Sequence, residues 1–335
     1  MHGMKTITAI LTATSAAAGV MTGVVGGVVT GVATGALTAR PASAQTSKMP
    51  DIAYVRSGDI YVSNGSAEKR LTAGGGHSRP RWSPDGRRIA YLSGAQLWTM
   101  NADGSGPKRL TTRAAAGPSW SPDGKWIAFA SLSCSGGPGV YRIAATGGTP
   151  AVLFPSECRS EALPPEPAAV APRAGSLTDR LRADDAVAWS PDGAKIAFRG
   201  GECESVYDAC LSIGTVASGG ERAVAAYGGG SLETQGFAVV PSWRTDGARL
   251  AWTAYQVGET TADNQPVHLV EYNPATGTQR TVGGTLDREL AYLDTTHAAV
   301  TAQYRGGSWV MLVGLTDGAR QPFHQGSQPS VRPIR

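Results

Sequence analysis

The sequence has few of the residues on which nucleic-acid-binding and hydrolytic sites are usually built. Charged residues make up 17% of the 335 positions, and the formal net charge is +4. A balance so close to neutrality provides no basic surface for nucleic acid. The chain also lacks a G-x-S-x-G nucleophile elbow and an H-E-x-x-H motif. We therefore expect no nucleic-acid partner. We also expect neither a hydrolase built on a nucleophile elbow nor a metallopeptidase built on H-E-x-x-H.

The N-terminal region is almost free of charge. Lys5 is followed by a run rich in Ala, Gly, Thr and Val that contains no charged residue before Arg40. The segment PASAQ then offers an Ala-x-Ala cleavage site after Ala44. We predict a secretory signal peptide over 1–44, a short linker over 45–51 and one exported domain over 52–335. The run exceeds the span of about 20 residues that crosses a bilayer, so an uncleaved membrane anchor is the alternative.

Cysteine and histidine are also scarce. The four cysteines contain no C-x-x-C pair; they are Cys134, Cys158, Cys203 and Cys210. The histidines after the leader are scattered along the chain: His77, His268, His297 and His324. This spacing is not that of a zinc site, so we predict no metal centre from these residues. An even number of cysteines behind a secretory leader favours disulfides, and four cysteines allow three pairings.

What the sequence does contain is a repeat. The segment WSPDGRRIAYLS begins at Trp82, and similar segments begin at Trp120, Trp189 and Trp243. These tryptophans are 38, 69 and 54 residues apart, as expected for a unit of about 40 residues that carries insertions. In the Ser-Pro-Asp-Gly turn, Asp hydrogen-bonds to the backbone and Gly adopts a positive φ. The predicted turn and seam residues are Trp82, Asp85, Gly86, Trp120, Asp123, Gly124, Trp189, Asp192, Gly193, Trp243, Asp246 and Gly247.

Each repeat has the pattern of four short strands, a to d. Strand a ends at the tryptophan, the turn leads into a strand b such as RRIAYLS, and QLWTMN and KRLT then supply strands c and d. Four antiparallel strands in a repeat of about 40 residues indicate a β-propeller blade. The large aromatic ring on strand a fills the seam between two blades.

The motif WSPDG, followed by IAF or IAY, then LW-M-ADG and RLT, resembles the repeat of TolB-like propellers, the WD40-like or PD40 repeat. The resemblance covers nearly all of the chain after residue 50. It implies an all-β propeller of four-stranded antiparallel blades. The motif is specific for this class of repeat and does not indicate an activity.

The repeats predict six blades. Blade two covers 81–111, blades three, four and five begin at Pro118, Ala186 and Val239, and the sixth contains ELAYLDTTHAAVTAQ, in which DTTH replaces the turn. The first unit, 52–72, has no strand a, while the C-terminal QPSVRPIR resembles the lead-in HSRPRWS. We therefore expect the C-terminal strand to complete blade one, which leaves no unpaired edge in the ring.

The connections between strands differ in length on the two faces of the disc. The a–b and c–d turns share one face and are short throughout. The b–c and d–a connections share the other face and contain every long insertion, at 132–138, 156–185, 200–210, 227–238 and 256–266, all in blades three to five. Binding residues commonly lie on loops of a rigid scaffold. Strand ends that point the same way favour the pairs Cys134–Cys158 and Cys203–Cys210.

Three of these insertions are acidic and contain no Lys or Arg. The candidate binding residues on them are Glu202, Glu204, Asp208, Glu233, Glu259 and Asp263. They form either a solvated loop surface or a site for a cationic partner or Ca²⁺, which prefers carboxylate oxygens. We predict no other cofactor.

These observations predict a secreted, monomeric propeller that binds a protein or cell-envelope ligand and is not an enzyme. One alternative is a lyase- or lactonase-type propeller enzyme with its active site in the central channel. That reading needs His, Asp or Glu at inward positions of strand a, where PRW, PSW, VAW and PSW offer Arg81 as the only ionisable group. Another alternative is a membrane-tethered sensor module, if the leader is retained; otherwise no membrane contact is expected.

Overall fold

A computed structural model describes residues 49–135, 138–161, 186–200, 209–228 and 235–333. Within these ranges the chain forms six separate four-stranded antiparallel sheets. The predicted all-β propeller with six blades is therefore confirmed. Helix in the described residues is limited to two short 3-10 turns, Ser156–Arg159 and Thr261–Asp263. None of the helices in these ranges is long and apolar enough to cross a membrane.

The strands follow one another blade by blade. Blade one contains β1 (Ile52–Arg56), β2 (Asp59–Ser63) and β3 (Glu68–Arg70). Blade two contains β4 (His77–Trp82), β5 (Arg88–Ser93), β6 (Gln96–Asn101) and β7 (Lys108–Ala114). Blade three contains β8 (Ala116–Trp120), β9 (Trp126–Leu132), β10 (Pro138–Ala144) and β11 (Ala151–Phe154). Blade four contains β12 (Val187–Trp189), β13 (Lys195–Arg199), β14 (Ala209–Thr215) and β15 (Glu221–Tyr227). Blade five contains β16 (Gln235–Trp243), β17 (Leu250–Val257), β18 (Gln265–Tyr272) and β19 (Gln279–Val282). Blade six contains β20 (Arg288–Tyr292), β21 (His297–Tyr304), β22 (Gly307–Gly314) and β23 (Arg320–Gln325).

The ring is closed by the C-terminal strand, as the sequence predicted. β24 (Ser327–Val331) pairs antiparallel with β1 and becomes the innermost strand of blade one. Val331 lies opposite Ile52 and Ser330 lies opposite Ala53. The pairing continues past the strand, where the Arg332 guanidinium contacts the Asp51 carboxylate at 2.7 Å. Both ends of the domain are thus held in a single sheet.

The Ser-Pro-Asp-Gly turns have a common geometry. In the first, the Gly86 amide donates to the Ser83 carbonyl at 2.8 Å, and Gly86 has a φ of 65°. The Ser83 hydroxyl donates to Asp85 at 2.6 Å, and Asp85 accepts the Arg87 amide at 3.1 Å. The turns at residues 121–124 and 190–193 repeat these bonds. Positive φ at the fourth position is the reason for glycine there.

The innermost strands pack against one another around the axis. Each first strand contacts that of the next blade, in the order β24, β4, β8, β12, β16, β20 and back to β24. The tryptophan indoles of blades three and five donate to the preceding blade: Trp120 to the Arg81 carbonyl at 3.0 Å and Trp243 to the Ala188 carbonyl at 3.1 Å. Trp120 and Trp243 therefore join neighbouring blades by a hydrogen bond as well as by packing, whereas Trp189 donates to the Gly193 carbonyl of its own turn.

Several inner strands begin earlier than the repeat predicted. β4 begins at His77 rather than at Arg81, β8 at Ala116 rather than Pro118, and β16 at Gln235 rather than Val239. Their pairing with strand b shifts register about three residues before the tryptophan, which marks a β-bulge. A bulge interrupts the two-residue alternation of buried side chains, so the alternating pattern could not locate the strand beyond it.

Candidate functional site

The face that carries the b–c and d–a connections, here called the insertion face, contains the predicted disulfide of blade three. Cys134 and Cys158 are bonded, with their Cα atoms 5.5 Å apart. The bridge joins the end of β9 to the 3-10 turn after β11, and Cys158 is buried. This pair is confirmed. Cys203 lies outside the described residues, so the Cys203–Cys210 pair stays a prediction.

Two of the six acidic candidates can be placed on this face. Glu259 and Asp263 are exposed in the connection between β17 and β18. The Thr260 hydroxyl donates to the Asp263 carboxylate at 2.7 Å, so that residue takes part in a local turn. The other candidates, Glu202, Glu204, Asp208 and Glu233, lie outside the described residues. The described parts of the chain contain no cluster of three metal-ligating side chains, and Ca²⁺ binding by the full set stays a prediction.

The insertion face also exposes apolar surface. Leu132 and Val257 are 44% and 40% exposed, and they are the exposed large hydrophobic side chains of the described residues. Leu132 is the last residue of β9 and Val257 the last residue of β17. Both therefore lie at the end of a strand b that faces the insertion face, in blades three and five. Val257 places apolar contact area beside the acidic connection of blade five, and Leu132 places apolar area at the corresponding point of blade three.

The opposite face is trimmed to short turns. Asp123 and Asp192 accept hydrogen bonds from Ser121 and Ser190, which are the first cause of their lowered pKa values. Asp246 instead pairs with Arg244, whose guanidinium donates to it at 2.8 Å and likewise lowers its pKa. Each of these carboxylates is engaged within its own turn, so they do not converge on a shared site.

The six innermost strands enclose an axial channel, and ionisable side chains meet there that the repeat did not predict. Arg79 Nη1 on β4 donates to Glu289 Oε1 on β20 at 2.8 Å. Gln328 on β24 contacts both residues. Its side-chain oxygen accepts the Arg79 backbone N–H at 2.7 Å, and its own backbone N–H donates to the Glu289 carboxylate at 3.0 Å. Thr301 on β21 donates its hydroxyl to Glu289 at 2.6 Å. We call these four residues the axial cluster.

The negative charge of Glu289 is balanced within the axial cluster by the positive charge of Arg79. Burial acts to raise the pKa of Glu289, but the charges of Arg79 and Arg288 and the hydrogen bonds from Thr301 and the Gln328 amide outweigh it and lower the pKa. The carboxylate is therefore ionised at neutral pH and paired. Arg79 is fully buried and Glu289 is 5% exposed. A buried pair held in this way fixes the relative positions of its strands.

The backbone at the cluster is unusual. Arg79, Glu289 and Gln328 have positive φ angles of 52°, 58° and 59°. All three occupy the bulge position three residues before the seam residue of their blade, as Val240 does with a φ of 54°. Such angles are uncommon outside glycine and each costs about 1–3 kcal/mol, which the surrounding hydrogen bonds offset.

The expectation that Arg81 is the only ionisable group on the inner strands was incomplete. Arg79 lies two residues earlier on the same strand, and Glu289 lies on a strand that carries no tryptophan. Alignment of the segments DRELAY and HSRPRW at their last residue brings Glu289 and Arg79 to the same position. That alignment was the available signal, although it does not reveal that the two side chains meet.

Comparison with known proteins identifies the fold. No family model and no curated protein matches the sequence. Among solved structures, TolB from Acinetobacter baumannii matches with a TM-score of 0.63 at 16% identity, over 85% of this chain and 67% of that one. A putative TolB from Agrobacterium tumefaciens matches with a TM-score of 0.57 at 15% identity, over 84% and 91%.

The protein has the fold of a TolB-like propeller. A chain of a nidogen–laminin complex matches to a similar degree, with a TM-score of 0.58 at 10% identity, over 84% of this chain and 98% of that one. At these identities the TolB-like architecture is shared, whereas function must be argued from the surfaces of this chain.

Proposed function

We propose that this TolB-like propeller is an exported binding module that uses its insertion face, over blades three to five, to hold a protein or a cell-envelope ligand. The observation that carries the proposal is the segregation of long connections to one face. The connections on the other face, such as 83–87 and 121–125, contain only four to six residues between their strands. Insertions without a role would be expected on both faces.

The described part of the insertion face has the properties of a contact surface. Leu132 and Val257 expose apolar area, and Glu259 and Asp263 add negative charge nearby. The Cys134–Cys158 bridge ties down two connections of blade three. A restrained loop loses less conformational entropy on binding, which favours affinity. The acidic character favours a partner with a positively charged surface, through complementary potentials.

Export is the second element of the proposal. The disulfide is consistent with an oxidising compartment, because disulfides are rare in the cytosol. The predicted leader over 1–44 agrees with this location. N-terminal sequencing of the mature protein tests it: Gln45 as the first residue supports cleavage and release, whereas an intact leader supports a tethered form.

The binding proposal is tested with two matched variants. The first replaces Leu132, Val257, Glu259 and Asp263 by Ser, Ser, Gln and Asn. The second replaces exposed residues of the opposite face, Asp103 by Asn and Thr276 by Ser, in c–d turns of blades two and five. Each is compared with the unaltered protein in affinity capture from the extracytoplasmic fraction, followed by quantitative binding to the recovered partner.

We expect the insertion-face variant to lose binding at least tenfold while its melting temperature is unchanged, because all four side chains are exposed. The opposite-face variant should bind like the unaltered protein. The reverse result, with binding lost only in the opposite-face variant, would place the working surface on the other side and reject the proposal.

A further inference from the structure

The axial channel contains a second arginine whose environment differs from that of Arg79. Arg81 lies one residue before Trp82 on β4, and its side chain is half-buried. Within the described residues, its one side-chain hydrogen bond runs from Nη1 to the adjacent Pro80 carbonyl at 2.9 Å. Among the described residues no carboxylate lies within 4.0 Å of it. A guanidinium is a strong donor of five N–H groups, so most of them have no acceptor among the residues that the structure describes.

Arg81 lies on β4, the innermost strand of blade two, two residues after Arg79. Burial lowers its pKa to about 10, with the Arg79 charge as the second cause and Glu289 acting in the opposite direction. Glu289 belongs to blade six, two blades away from β4 around the ring. Arg79 outweighs Glu289, so Arg81 lies in a locally positive environment.

The other five inner strands place small residues at the position that corresponds to Arg81. These residues are Ser119, Ala188, Ser242, Ala291 and Ser330. Ser119 Oγ accepts the Trp189 amide at 2.9 Å, and Ser330 Oγ accepts the Trp82 amide at 3.2 Å. Each hydroxyl therefore points its oxygen at the next strand and keeps its hydrogen for another acceptor. One long cationic side chain thus shares this level of the channel with three hydroxyl groups and two methyl groups.

This level lies towards the face of short turns. Every strand a runs from the insertion face to the Ser-Pro-Asp-Gly turn, so Arg81 lies closer to the turns than Arg79 does. The paired Arg79 and Glu289 are buried and lie between Arg81 and the insertion face. Arg81 keeps partial exposure whereas Arg79 is fully buried, so exposure on this strand increases towards the face of short turns.

We propose that Arg81 and the surrounding serine hydroxyls form an anion site at the floor of the channel, open to the face of short turns. The ligand is a small oxyanion group, either a carboxylate or a phosphate. A guanidinium binds both groups through paired N–H···O bonds. The hydroxyls of Ser119 and Ser330, whose oxygen atoms already accept a backbone N–H, donate their hydrogen atoms to the same oxyanion. The site requires no metal and does not depend on the insertion face. A result that rejects the proposed function therefore leaves this proposal unaffected, and the reverse also holds.

The experiment uses the full mature chain and three probes: inorganic phosphate, acetate, and a Gly-Gly-Gly peptide with a free or an amidated C-terminus. Each probe is compared with sodium chloride at equal ionic strength, by calorimetric titration and by the shift in melting temperature. Binding to the folded state alone raises the melting temperature. A response to phosphate identifies a phosphate site, and a response to the free but not the amidated peptide identifies a carboxylate site.

The variants are Arg81→Gln, Arg81→Lys, Ser242→Ala and, as a control, Arg87→Gln. Arg87 is an exposed arginine beside the first turn of the same face, so its loss changes the net charge equally. We expect Arg81→Gln to weaken probe binding at least tenfold, Arg81→Lys to retain part of it and Arg87→Gln to retain all of it. Ser242, whose hydroxyl has no protein partner in the described residues, should weaken binding a few-fold without changing stability when replaced by Ala.

Absence of a response in the unaltered protein to every probe overturns the proposal. Equal losses in Arg81→Gln and Arg87→Gln also overturn it, because they would show a general charge effect. Arg81→Gln should still fold, since removal of an unpaired, partly desolvated charge leaves a side chain of similar size. Should that variant unfold, the Ser242→Ala and Arg81→Lys titrations decide, and unaltered affinity in both would reject the site.

Discussion

Arg79 of blade two and Glu289 of blade six meet across blade one, with Nη1 2.8 Å from Oε1. The blade between them is the one that contains both ends of the domain, and its innermost strand contributes Gln328 to the same network. Glu289 is thus bonded to two other blades at the point where the ring closes. The axial cluster and the strand exchange therefore stabilise the same junction.

Removal of the closing strand should open the ring. Deletion of 328–335 removes most of β24 and with it the Gln328 contacts to Arg79 and Glu289. A domain has a total stability of about 5–15 kcal/mol. The loss of most of an inner strand should therefore leave the truncated protein unfolded at ambient temperature, with no cooperative thermal transition. Thermal unfolding followed by circular dichroism measures this. Deletion of 332–335, which spares β24, is the control, and equal melting temperatures for both truncations would contradict the role of the strand.

Replacement of Glu289 by Gln should destabilise the protein strongly. The substitution keeps the shape but removes the negative charge from the buried Arg79–Glu289 pair, and removal of one partner costs about 3–5 kcal/mol in comparable buried pairs. The free energy of unfolding from urea titration measures the loss. Lys125→Gln serves as the control, because its contact with Asp123 is long, at 3.8 Å, and exposed. That pair should change stability by less than about 1 kcal/mol.

The effect of Glu289 should depend on pH. Its pKa in the folded protein is below the ordinary value of 4.5. In the acidic window the unfolded chain binds more protons at this group, so stability rises with pH there. The contribution is fully present above pH 4.5 and is lost as the pH falls through the lowered pKa. The difference in unfolding free energy between the unaltered protein and Glu289→Gln should accordingly be constant from pH 6 to 7 and shrink towards pH 3. A difference that does not vary with pH would disprove this assignment.

Loss of the Cys134–Cys158 bridge should lower stability without changing the fold. The bridge joins residues 24 positions apart. A loop of this size predicts a stabilisation of about 2–4 kcal/mol. Unfolding of the Cys134→Ser/Cys158→Ser double variant measures it, with far-ultraviolet circular dichroism as the check on fold. Non-reducing peptide mapping of the unaltered protein examines the Cys203–Cys210 pair in the same samples, and free thiols at those positions would refute that prediction.

The architecture could be predicted from local sequence because its determinants are local. Ser83, Asp85 and Gly86 form their turn through hydrogen bonds that span two to five residues, so the same letters produce the same turn wherever they recur. The spacing of those turns set the number of blades. The missing strand before Ile52 and the matching segment at the C-terminus indicated the closure, and strand direction indicated the Cys134–Cys158 bridge.

The axial cluster was decided by the tertiary structure. Arg79 is 210 residues from Glu289 and 249 from Gln328 in sequence, and they meet because ring closure brings blades six, one and two together. The bulges that direct these residues towards the axis use positive φ angles at Arg, Glu and Gln, which no local propensity favours. The sequence determined the repeating unit through short-range hydrogen bonds and apolar patterning. The packing of six such units around an axis then decided that Arg79 pairs with Glu289. It left Arg81, two residues later on the same strand, without a carboxylate partner among the described residues.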